Sequence, residues 1–383
     1  MGGDVEPPPD GAPVPSDEDE AWRREHPCAL SRFDAAVSGA RAGGKKVCVF
    51  LDYDGTLAPI VRDPDRAFIS EATREAVRRV SRAFPTAIIT GRAVEKVRAF
   101  VQLDHLLYAG SHGLDIQGPS EADCGAVGAR HVALRHQPGL AHEDAMRRVR
   151  LALAERTVPI DGAHVEDNKF CCSVHFRNVR HRADEDPSCA GPCAAECAVR
   201  DAVRDVLNDL DPEGARYAVR EGKKVLEVRP SLPWHKGDAL EYLLCAIHDA
   251  AACQGSRGHA RAASADPEVG EDRSREPSSP VPASPGEGAE EEGEGERGMR
   301  LHDAYAALFP VYLGDDVTDE DAFGRLAVGG GGGGGRGLGV VVSGGALSRA
   351  TDAGYSLRDP LEVTAFLDRL AQWGRDSGAA WWT

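Results

Sequence analysis

Two aspartates that directly follow a short apolar run constrain the fold of this chain more than any other feature. Residues 47–51 are apolar and largely β-branched or aromatic, which predicts a buried strand. Gly55 ends the strand, so Asp52 and Asp54 are expected at its carboxyl end, where open α/β sheets bind ligands. Residues i and i+2 of an extended chain share a face, so the two carboxylates face one space. Two anions this close need a shared proton or a cation, and Mg²⁺ is the simplest cation for this purpose.

Other apolar runs predict that this strand belongs to a parallel α/β sheet. Between residues 70 and 84, apolar side chains recur at helical spacing, and Ser70 is a suitable N-cap. The order strand, helix, strand indicates a parallel βαβ unit. Lys236 begins another predicted helix, which includes residues 239–250. Further strand-like segments lie at 86–90, 106–110, 170–176, 224–228, 311–313 and 338–342.

Composition excludes several classes of function. The chain has 383 residues, of which 42% are hydrophobic, enough for one large domain or two modest ones. No apolar run approaches the ~20 residues of a membrane helix, so no membrane partner is expected. The formal net charge of −17 argues against a nucleic-acid partner. The acidic, Pro-rich start resembles neither a secretory signal nor a transit peptide, so a cytoplasmic location is expected, with a plastid as the alternative.

Several segments are predicted to lie outside the folded core. Residues 1–25 and 254–298 are rich in Pro, Gly and acidic residues, and each segment carries a net charge of −6. They cannot bury enough surface to offset the entropy of ordering, so both are predicted to be disordered. The glycines at 329–335 lack the Lys and hydroxyl that follow a phosphate-binding loop, which favours a linker. Residues 182–197 are a third candidate insertion.

The ten cysteines are expected to be reduced thiols, because no secretory signal precedes them. Cys171 and Cys172 fall in an apolar run, which favours burial as small hydrophobic side chains. Cys189, Cys193 and Cys197 recur at every fourth residue in a polar stretch. A metal or redox site there is the less favoured alternative, since the spacing does not match the usual zinc patterns.

Chemically active side chains follow two further predicted strands and begin one helix. The strand at 86–90 ends in Thr90, which Gly and Arg92 follow, and Lys236 begins a helix. The strand at 311–313 is followed by an acidic cluster that contains Asp315, Asp316, Asp319, Glu320 and Asp321. Each of these groups also has an ordinary explanation when it is considered alone. The residues after the strands can form turns, the Lys can be a solvated surface charge, and the acidic cluster can cap the next helix. Together with Asp52 and Asp54, they supply the parts of one phosphoryl-transfer site.

These parts suit attack on a phosphate monoester. One carboxylate can be the nucleophile and form an aspartyl-phosphate. A second can protonate the departing alkoxide and later deprotonate water. A cation and a Lys neutralise the transferring group, while a Thr hydroxyl and backbone N–H groups hold its oxygens. The required rate enhancement can reach ~10²¹-fold, so several converging groups are needed.

The chain resembles the haloacid-dehalogenase-like phosphatases, in which a second Asp such as Asp54 marks phosphatases and mutases. The resemblance sharpens to the trehalose-6-phosphate phosphatases of plants and green algae, and it covers nearly all of residues 26–375. The phrases that carry it are residues 51–60 (LDYDGTLAPI), 84–92 (FPTAIITGR), 108–113 (YAGSHG), 165–170 (VEDNKF), 173–177 (SVHFR), 224–230 (KVLEVRP) and 314–321 (GDDVTDED).

The resemblance implies an α/β fold with a Rossmann-like core, formed by residues 26–116 and 231–383 around a parallel sheet. An α/β cap, residues 117–230, would be inserted in this core, and its closure would exclude water and orient the substrate. The resemblance also implies a Mg²⁺ cofactor. Its ligands would be the Asp52 carboxylate, the Asp54 backbone carbonyl and Asp315, supported by Asp316 or Asp319.

The resemblance assigns roles to the remaining site residues as well. Asp52 would be the nucleophile and Asp54 the general acid and base, while Thr90 and Lys236 would bind the phosphoryl group. Sugar hydroxyls need both hydrogen-bond donors and acceptors on the protein. A polar group of the cap that finds no partner weakens the binding of the wrong sugar. The residues expected to bind the substrate are Arg92, Ser111, His112, Glu166, Lys169, His175, Arg177, Lys224 and Glu227.

The implied activity is the Mg²⁺-dependent hydrolysis of trehalose 6-phosphate to trehalose and inorganic phosphate, by a monomer. Two alternatives stay open. The same chemistry can act on another sugar phosphate, such as sucrose phosphate or glucosylglycerol phosphate, and only the cap would separate these substrates. The chain can also be a catalytically silent sensor that binds a sugar phosphate and signals through its acidic segments. The complete set of motifs favours the enzyme.

Overall fold

The computed structural model of the chain describes residues 17–61, 63–119, 134–179, 194–262, 294–327, 335–347, 349–378 and Trp381. The strands are β1 (Lys46–Leu51), β2 (Thr86–Ile89), β3 (Leu107–Gly110), β4 (Asp115–Gln117), β5 (Arg135–His136), β6 (His164–Asp167), β7 (Cys172–His175), β8 (Tyr217–Gly222), β9 (Val225–Pro230), β10 (Leu308–Gly314), β11 (Leu338–Val342) and β12 (Tyr355–Leu357). The α-helices are α1 (Asp17–Glu25), α2 (Phe33–Ala36), α3 (Ser38–Gly43), α4 (Glu71–Ala83), α5 (Val94–Val101), α6 (Glu143–Thr157), α7 (Ala194–Leu210), α8 (Lys236–Ala262), α9 (Glu294–Ala307), α10 (Glu320–Ala327) and α11 (Pro360–Ser377).

β1, the strand that precedes Asp52, lies inside an eight-stranded sheet with the order β12-β11-β10-β1-β2-β3-β4-β5. The strands from β12 to β3 are parallel, while β4 and β5 pair antiparallel. The chain moves from β1 to β2 and β3 on one side and later adds β10, β11 and β12 on the other. The strand order therefore reverses at β1, and ligands bind in the crevice at such a reversal. The predicted parallel α/β sheet is confirmed.

Alternate residues of β1 pack on opposite faces of this sheet. Val49 and Leu51 belong to a hydrophobic cluster with α4 and α11, whereas Cys48 and Phe50 belong to a second cluster with α8 and α10. Because helices cover both faces, the strand is apolar along its whole length instead of alternating. The predicted cap of α4 is also confirmed, since Ser70 Oγ accepts the backbone N–H of Thr73 at 3.0 Å.

A separate four-stranded antiparallel sheet, with the order β6-β7-β9-β8, forms the smaller unit. The helices α6 and α7 cover one face of it, where Val174 packs with Val149 and Val203. Ser173 and His175 lie on the other side of β7, because side chains alternate along a strand. That polar face lines the cleft toward the larger sheet.

The boundary predicted at residue 117 needs a correction. β5 pairs with β4 and so belongs to the larger sheet, although it lies within the span 117–230. The chain therefore passes to the smaller unit after residue 136. A strand of two residues is too short to leave a periodic pattern in the sequence, so nothing in the pattern pointed to it.

The predicted disorder is wrong at the described ends of two segments, because α1 covers residues 17–25, α8 continues to residue 262 and α9 starts from residue 294. In the candidate insertion at 182–197, α7 begins at residue 194. Trp22 of α1 packs on the second hydrophobic cluster, and Asp19 accepts the backbone N–H of Ala346. The average composition of a whole segment does not reveal a short helical part of it. At α8 and α9 this part continues a helix of the folded core, and adding a residue to an existing helix is easier than nucleating a new helix. The remaining residues of these segments, and residues 329–334, lie outside the described part of the chain.

Among the residues that the structure describes, none of the helices is both long enough and apolar enough to cross a membrane.

Candidate active site

Asp52 and Lys236 form a buried ion pair at the carboxyl end of β1. Lys236 begins α8, and its Nζ donates to Oδ1 of Asp52 at 2.8 Å and to Oδ1 of Asp319 at 2.7 Å. Burial alone would lower the pKa of Lys236, but the carboxylates of Asp319 and Asp52 raise this pKa well above its usual value. The ammonium group therefore stays charged beside the predicted nucleophile.

Asp319 organises the loop that follows β10. Its Oδ1 accepts hydrogen bonds from Lys236 Nζ and, at 2.7 Å, from the hydroxyl of Tyr312. Its Oδ2 accepts the backbone N–H groups of Asp315 at 3.0 Å and Asp316 at 2.9 Å. A carboxylate offers about four lone-pair positions, and these four bonds use them all. The metal role that the resemblance implies for Asp319 therefore competes with its role in positioning Lys236 and the loop.

Gly55 lets this loop approach the turn after β1. Its φ of +77° is left-handed, and a Cβ atom at this position would lie 2.2 Å from Oδ2 of Asp315. Only Gly combines that backbone angle with so close a contact. Burial raises the pKa of Asp315 to about 7, although the ammonium of Lys223 opposes the shift.

Carboxylates outnumber cations at this edge of the sheet. Oxygens of Asp52, Asp315 and Asp319 lie within 4.8 Å of one another. Burial raises the pKa of Asp52 well above its usual value, and Asp319 and Asp315 add to this effect although Lys236 opposes it. An all-oxygen donor set with excess negative charge fits a hard divalent cation such as Mg²⁺.

Arg92 connects Asp54 to the smaller unit. Its Nε and one terminal nitrogen each donate to an oxygen of Asp54 at 2.7 Å, and the other terminal nitrogen donates to Oε1 of Glu166 at 3.2 Å. Although burial opposes it, hydrogen bonding by His175 and the charges of Arg92 and Lys96 lower the pKa of Glu166 to about 2. A two-point guanidinium contact fixes the orientation of the Asp54 carboxylate, so the predicted acid and base is held in place by the same side chain that contacts the cap.

A left-handed turn brings His112 into the cleft. Ser111, His112 and Gly113 have φ values of 50°, 57° and 94° in succession. Non-glycine residues in this region cost of order 1–3 kcal/mol each, and such strain clusters at functional sites. His112 Nε2 lies 2.5 Å from Oε2 of Glu227 in β9, so this turn also joins the two units.

The structure brings most of the sequence-predicted site residues to one cleft between the two sheets. Those that line it are Asp52, Asp54, Thr90, Arg92, His112, Glu166, His175, Arg177, Glu227, Lys236, Asp315 and Asp316. Asp319 is fully buried behind this surface, where it holds Lys236.

Three predicted substrate-binding residues do not line the cleft. Ser111 is fully buried, and its Oγ donates to the backbone carbonyl of Asn168. Lys169 Nζ donates to Asp115 at 2.7 Å, and Lys224 Nζ donates to Glu196 at 2.6 Å. In this structure each of the three makes a contact within the protein, so their direct contact with a substrate stays a prediction. The sequence phrases that contain them pointed to the right loops but not to the direction of each side chain.

Lys223 is the functional candidate that sequence reasoning missed. It lines the cleft, and its Nζ donates to Oδ2 of Asp315 at 2.7 Å, which joins the smaller unit to the acidic loop. Lys223 lies in the turn between β8 and β9, where Lys224 has a φ of 66°, so no strand alternation in the sequence pointed to it. Asn168, Ser173 and Thr318 also line the cleft and were missed as site residues.

Comparison with known proteins finds a matching family and similar plant proteins. A family model described as trehalose-phosphatase matches residues 50–266. A probable trehalose-phosphate phosphatase 4 of Oryza sativa subsp. japonica is 38% identical over 364 residues, which are 95% of this chain and 76% of the relative. Trehalose-phosphate phosphatase B of Arabidopsis thaliana is 37% identical over 360 residues, 94% of this chain and 75% of the relative.

The solved C-terminal domain of a C. albicans trehalose-6-phosphate phosphatase supports the fold. It superimposes with a TM-score of 0.57 at 21% identity, covering 91% of this chain and 98% of that domain. At this identity the likeness shows the fold alone, an α/β core with a smaller inserted unit. The family resemblance is confirmed: the chain belongs to the trehalose-phosphatase family.

Proposed function

We propose that this chain hydrolyses trehalose 6-phosphate to trehalose and inorganic phosphate, with Asp52 as the nucleophile. The observation that carries the proposal is one cleft that contains the Asp52–Lys236 pair, the Asp54–Arg92 pair and the polar face of the smaller sheet. The names of the plant relatives, which describe trehalose-phosphate phosphatases, support the choice of substrate.

In the first step, an oxygen of Asp52 attacks phosphorus while the bond between phosphorus and the sugar oxygen breaks. Lys236 and Thr90 hold the non-bridging phosphoryl oxygens. Asp54, in its protonated form, donates a proton to the departing sugar oxygen. Because Arg92 binds both oxygens of Asp54, one of these hydrogen bonds must loosen when Asp54 takes up the proton.

In the second step, water attacks the phosphorus of the aspartyl-phosphate and Asp54 accepts the proton of that water. The bond between phosphorus and Asp52 breaks, and phosphate leaves. The Asp52 carboxylate, the Asp54 backbone carbonyl and Asp315 would hold Mg²⁺, with support from Asp316. When bound, the ion supplies positive charge that offsets the charge of the phosphoryl group.

Unpaired polar atoms in the cleft support a polyhydroxylated substrate. Within the described part of the chain, His112 Nδ1, Glu227 Oε1 and Asn168 Oδ1 are buried and have no hydrogen-bond partner. A buried polar group without a partner costs about 1–3 kcal/mol. Sugar hydroxyls can satisfy these atoms, and His175 and Arg177 add further polar contacts at the same surface. A substrate without matching hydroxyls leaves these buried atoms without partners and therefore binds more weakly. The smaller unit would select the sugar in this way.

A phosphate-release assay across substrates tests this proposal. The panel contains trehalose 6-phosphate, sucrose phosphate, glucosylglycerol phosphate and p-nitrophenyl phosphate, each with Mg²⁺ and with EDTA. We expect release from trehalose 6-phosphate to be at least about tenfold more efficient than from the others and to need Mg²⁺. A tenfold preference for another sugar phosphate would reject the substrate, and binding of trehalose 6-phosphate without release would favour the silent sensor.

A pair of variants tests the recognition of the sugar. Glu227→Gln should lower kcat/KM for trehalose 6-phosphate by roughly 10–100-fold, because a charged hydrogen bond is worth about 1.5–3 kcal/mol, while p-nitrophenyl phosphate is affected far less. Glu221→Gln is the control, since Glu221 lies on the neighbouring strand β8 and pairs with Arg200 outside the cleft. An equal loss of kcat/KM for both substrates would show that Glu227 does not recognise the sugar.

We further propose a monomer in the cytoplasm. Light scattering of the purified chain and imaging of a tagged chain in cells check these two points.

A further inference from the structure

His112, Cys171 and Glu227 bring three different metal-binding side chains together at one end of the cleft. We call it the sugar end, because the proposed function places the sugar against His112 and Glu227. One donor atom of each, an imidazole nitrogen, a thiol sulfur and a carboxylate oxygen, lies within 4.8 Å of the other two. His112 and Glu227 line the cleft, and Cys171 is buried beside them with 1% of its surface exposed. The proposed mechanism gives Cys171 no role.

We propose that this cluster is a second metal site, which binds Zn²⁺ or a similarly soft divalent cation and thereby blocks the sugar end of the cleft. Imidazole and thiolate donors suit Zn²⁺, whereas Mg²⁺ prefers oxygen donors in an octahedral shell. The two sites in this cleft therefore differ in chemistry: the aspartates after β1 and β10 offer oxygen alone, and the cluster offers nitrogen, sulfur and oxygen.

The distances in the cluster fit a tetrahedral ion after small side-chain shifts. Zinc bonds of about 2.0–2.3 Å place two ligands of one ion roughly 3.3–3.7 Å apart. His112 Nε2 and Glu227 Oε2 are closer than this, at 2.5 Å, and the widest separation in the cluster is at most 4.8 Å. Movements of about 1 Å by side chains alone bring the three donors to that spacing. Three protein ligands leave a fourth position open for water.

The surroundings leave the three donors available. The Cys171 thiol makes one weak contact, to the backbone carbonyl of Gly91 at 3.7 Å. His112 Nε2 and Glu227 Oε2 contact each other, and the ion would replace this contact, while Glu227 Oε1 and His112 Nδ1 have no hydrogen-bond partner among the described residues. The left-handed turn at residues 111–113 fixes the direction of the imidazole. Binding through the thiolate releases one proton from Cys171 to solvent.

The consequence for catalysis rests on the proposed function. An ion held by His112 and Glu227 removes the two groups that would contact the sugar, so it competes with the substrate. Zn²⁺ should therefore raise KM for trehalose 6-phosphate and leave kcat unchanged at saturating substrate.

Co²⁺ binding to the full-length chain tests the site without measuring activity. Co²⁺ bound to a thiolate absorbs in the near ultraviolet through sulfur-to-metal charge transfer, and excess Mg²⁺ keeps Co²⁺ away from the aspartates. We expect this band in the wild type and its removal by Zn²⁺. Cys171→Ala should give no band, because its cluster has no thiolate, and calorimetry should show at least a 100-fold weaker affinity, because even the loss of an outer-shell partner costs 10–100-fold.

Cys172→Ala is the matched control for this experiment. Cys172 is the next residue and is equally buried, but it packs in the hydrophobic core of the smaller unit. The band should persist in this variant. A band of full strength in Cys171→Ala would place the metal at other cysteines and overturn the proposal, as would the absence of any band in the wild type.

Inhibition kinetics with the same variants test the blocking effect. Zn²⁺ should inhibit the wild type and Cys172→Ala competitively and have little effect on Cys171→Ala. Equal inhibition of Cys171→Ala would show that the ion acts elsewhere, and the blocking effect would be rejected. If the chain releases no phosphate at all, the proposed function fails, but the Co²⁺ experiment still decides whether the metal site exists.

Discussion

The replacement of Gly55 by Ala tests whether close approach of the acidic loop to β1 is needed for catalysis. The φ of +77° at Gly55 costs a non-glycine residue roughly 1–2 kcal/mol. The new Cβ atom would lie 2.2 Å from Oδ2 of Asp315, whereas ordinary contact begins near 3.4 Å. Asp315 must therefore move by about 1 Å, and a misplacement of that size can lower a rate ~10²-fold.

Gly44→Ala is the matched control for this substitution. Gly44 has a φ of +59°, and a Cβ atom at that position would meet no atom within 4 Å. It carries the cost of the backbone angle without the clash. We expect Gly44→Ala to lose about 1–2 kcal/mol of unfolding free energy and to keep full activity, while Gly55→Ala loses more stability and about 10²-fold in kcat/KM.

The assays are thermal unfolding and phosphate release from trehalose 6-phosphate, measured well below the unfolding midpoint of each variant. A Mg²⁺ titration of activity should show a raised half-saturation concentration for Gly55→Ala, because Asp315 is a proposed ligand. The reasoning is refuted if Gly55→Ala retains kcat/KM and Mg²⁺ dependence within about threefold of the wild type while it remains folded.

Three further outcomes are expected. Asp52→Asn should reduce phosphate release by at least roughly 10³-fold without loss of the far-ultraviolet circular dichroism of the fold, and near-normal release would remove Asp52 as the nucleophile. Arg92→Lys should lower kcat/KM by about 10–150-fold, because Lys cannot make the two parallel hydrogen bonds to Asp54, and wild-type rates would contradict this role. The pKa of Glu166 is lowered to about 2 from an ordinary value of 4.5, so its ionised form contributes about 3 kcal/mol of stability above pH 4.5 that is lost as pH falls toward 2. The stability gap between the wild type and Glu166→Gln, measured by urea unfolding, should therefore shrink by about 2 kcal/mol from pH 6 to pH 3, and a constant gap would contradict the linkage.

Local patterns were sufficient to predict most elements of the core. The apolar run before Asp52 became β1, and the helical spacing after Ser70 became α4 with the predicted cap. These predictions succeeded because burial on both faces of a sheet, helical periodicity and side-chain capping act over a few residues. β5 escaped detection because it contains two residues only.

The directions of individual side chains in the smaller unit were harder to predict. Lys223 and Lys224 are adjacent, yet the first contacts Asp315 and the second contacts Glu196. Lys224 has a φ of 66°, which interrupts the regular alternation of the hairpin between β8 and β9. No local rule decides which of two neighbouring lysines faces the cleft when the backbone turns at these residues.

The order of the motifs along the chain already determined the kind of chemistry, because carboxylates after parallel strands collect at one edge whatever the details of packing. Only the tertiary structure decided that Arg92 bridges Asp54 and Glu166, residues 112 positions apart, and that Cys171 comes to lie beside His112 and Glu227. Contacts of this kind depend on how two separately built sheets face each other. The interactions that orient the two sheets are spread over many residues, so no short stretch of the sequence predicts this orientation.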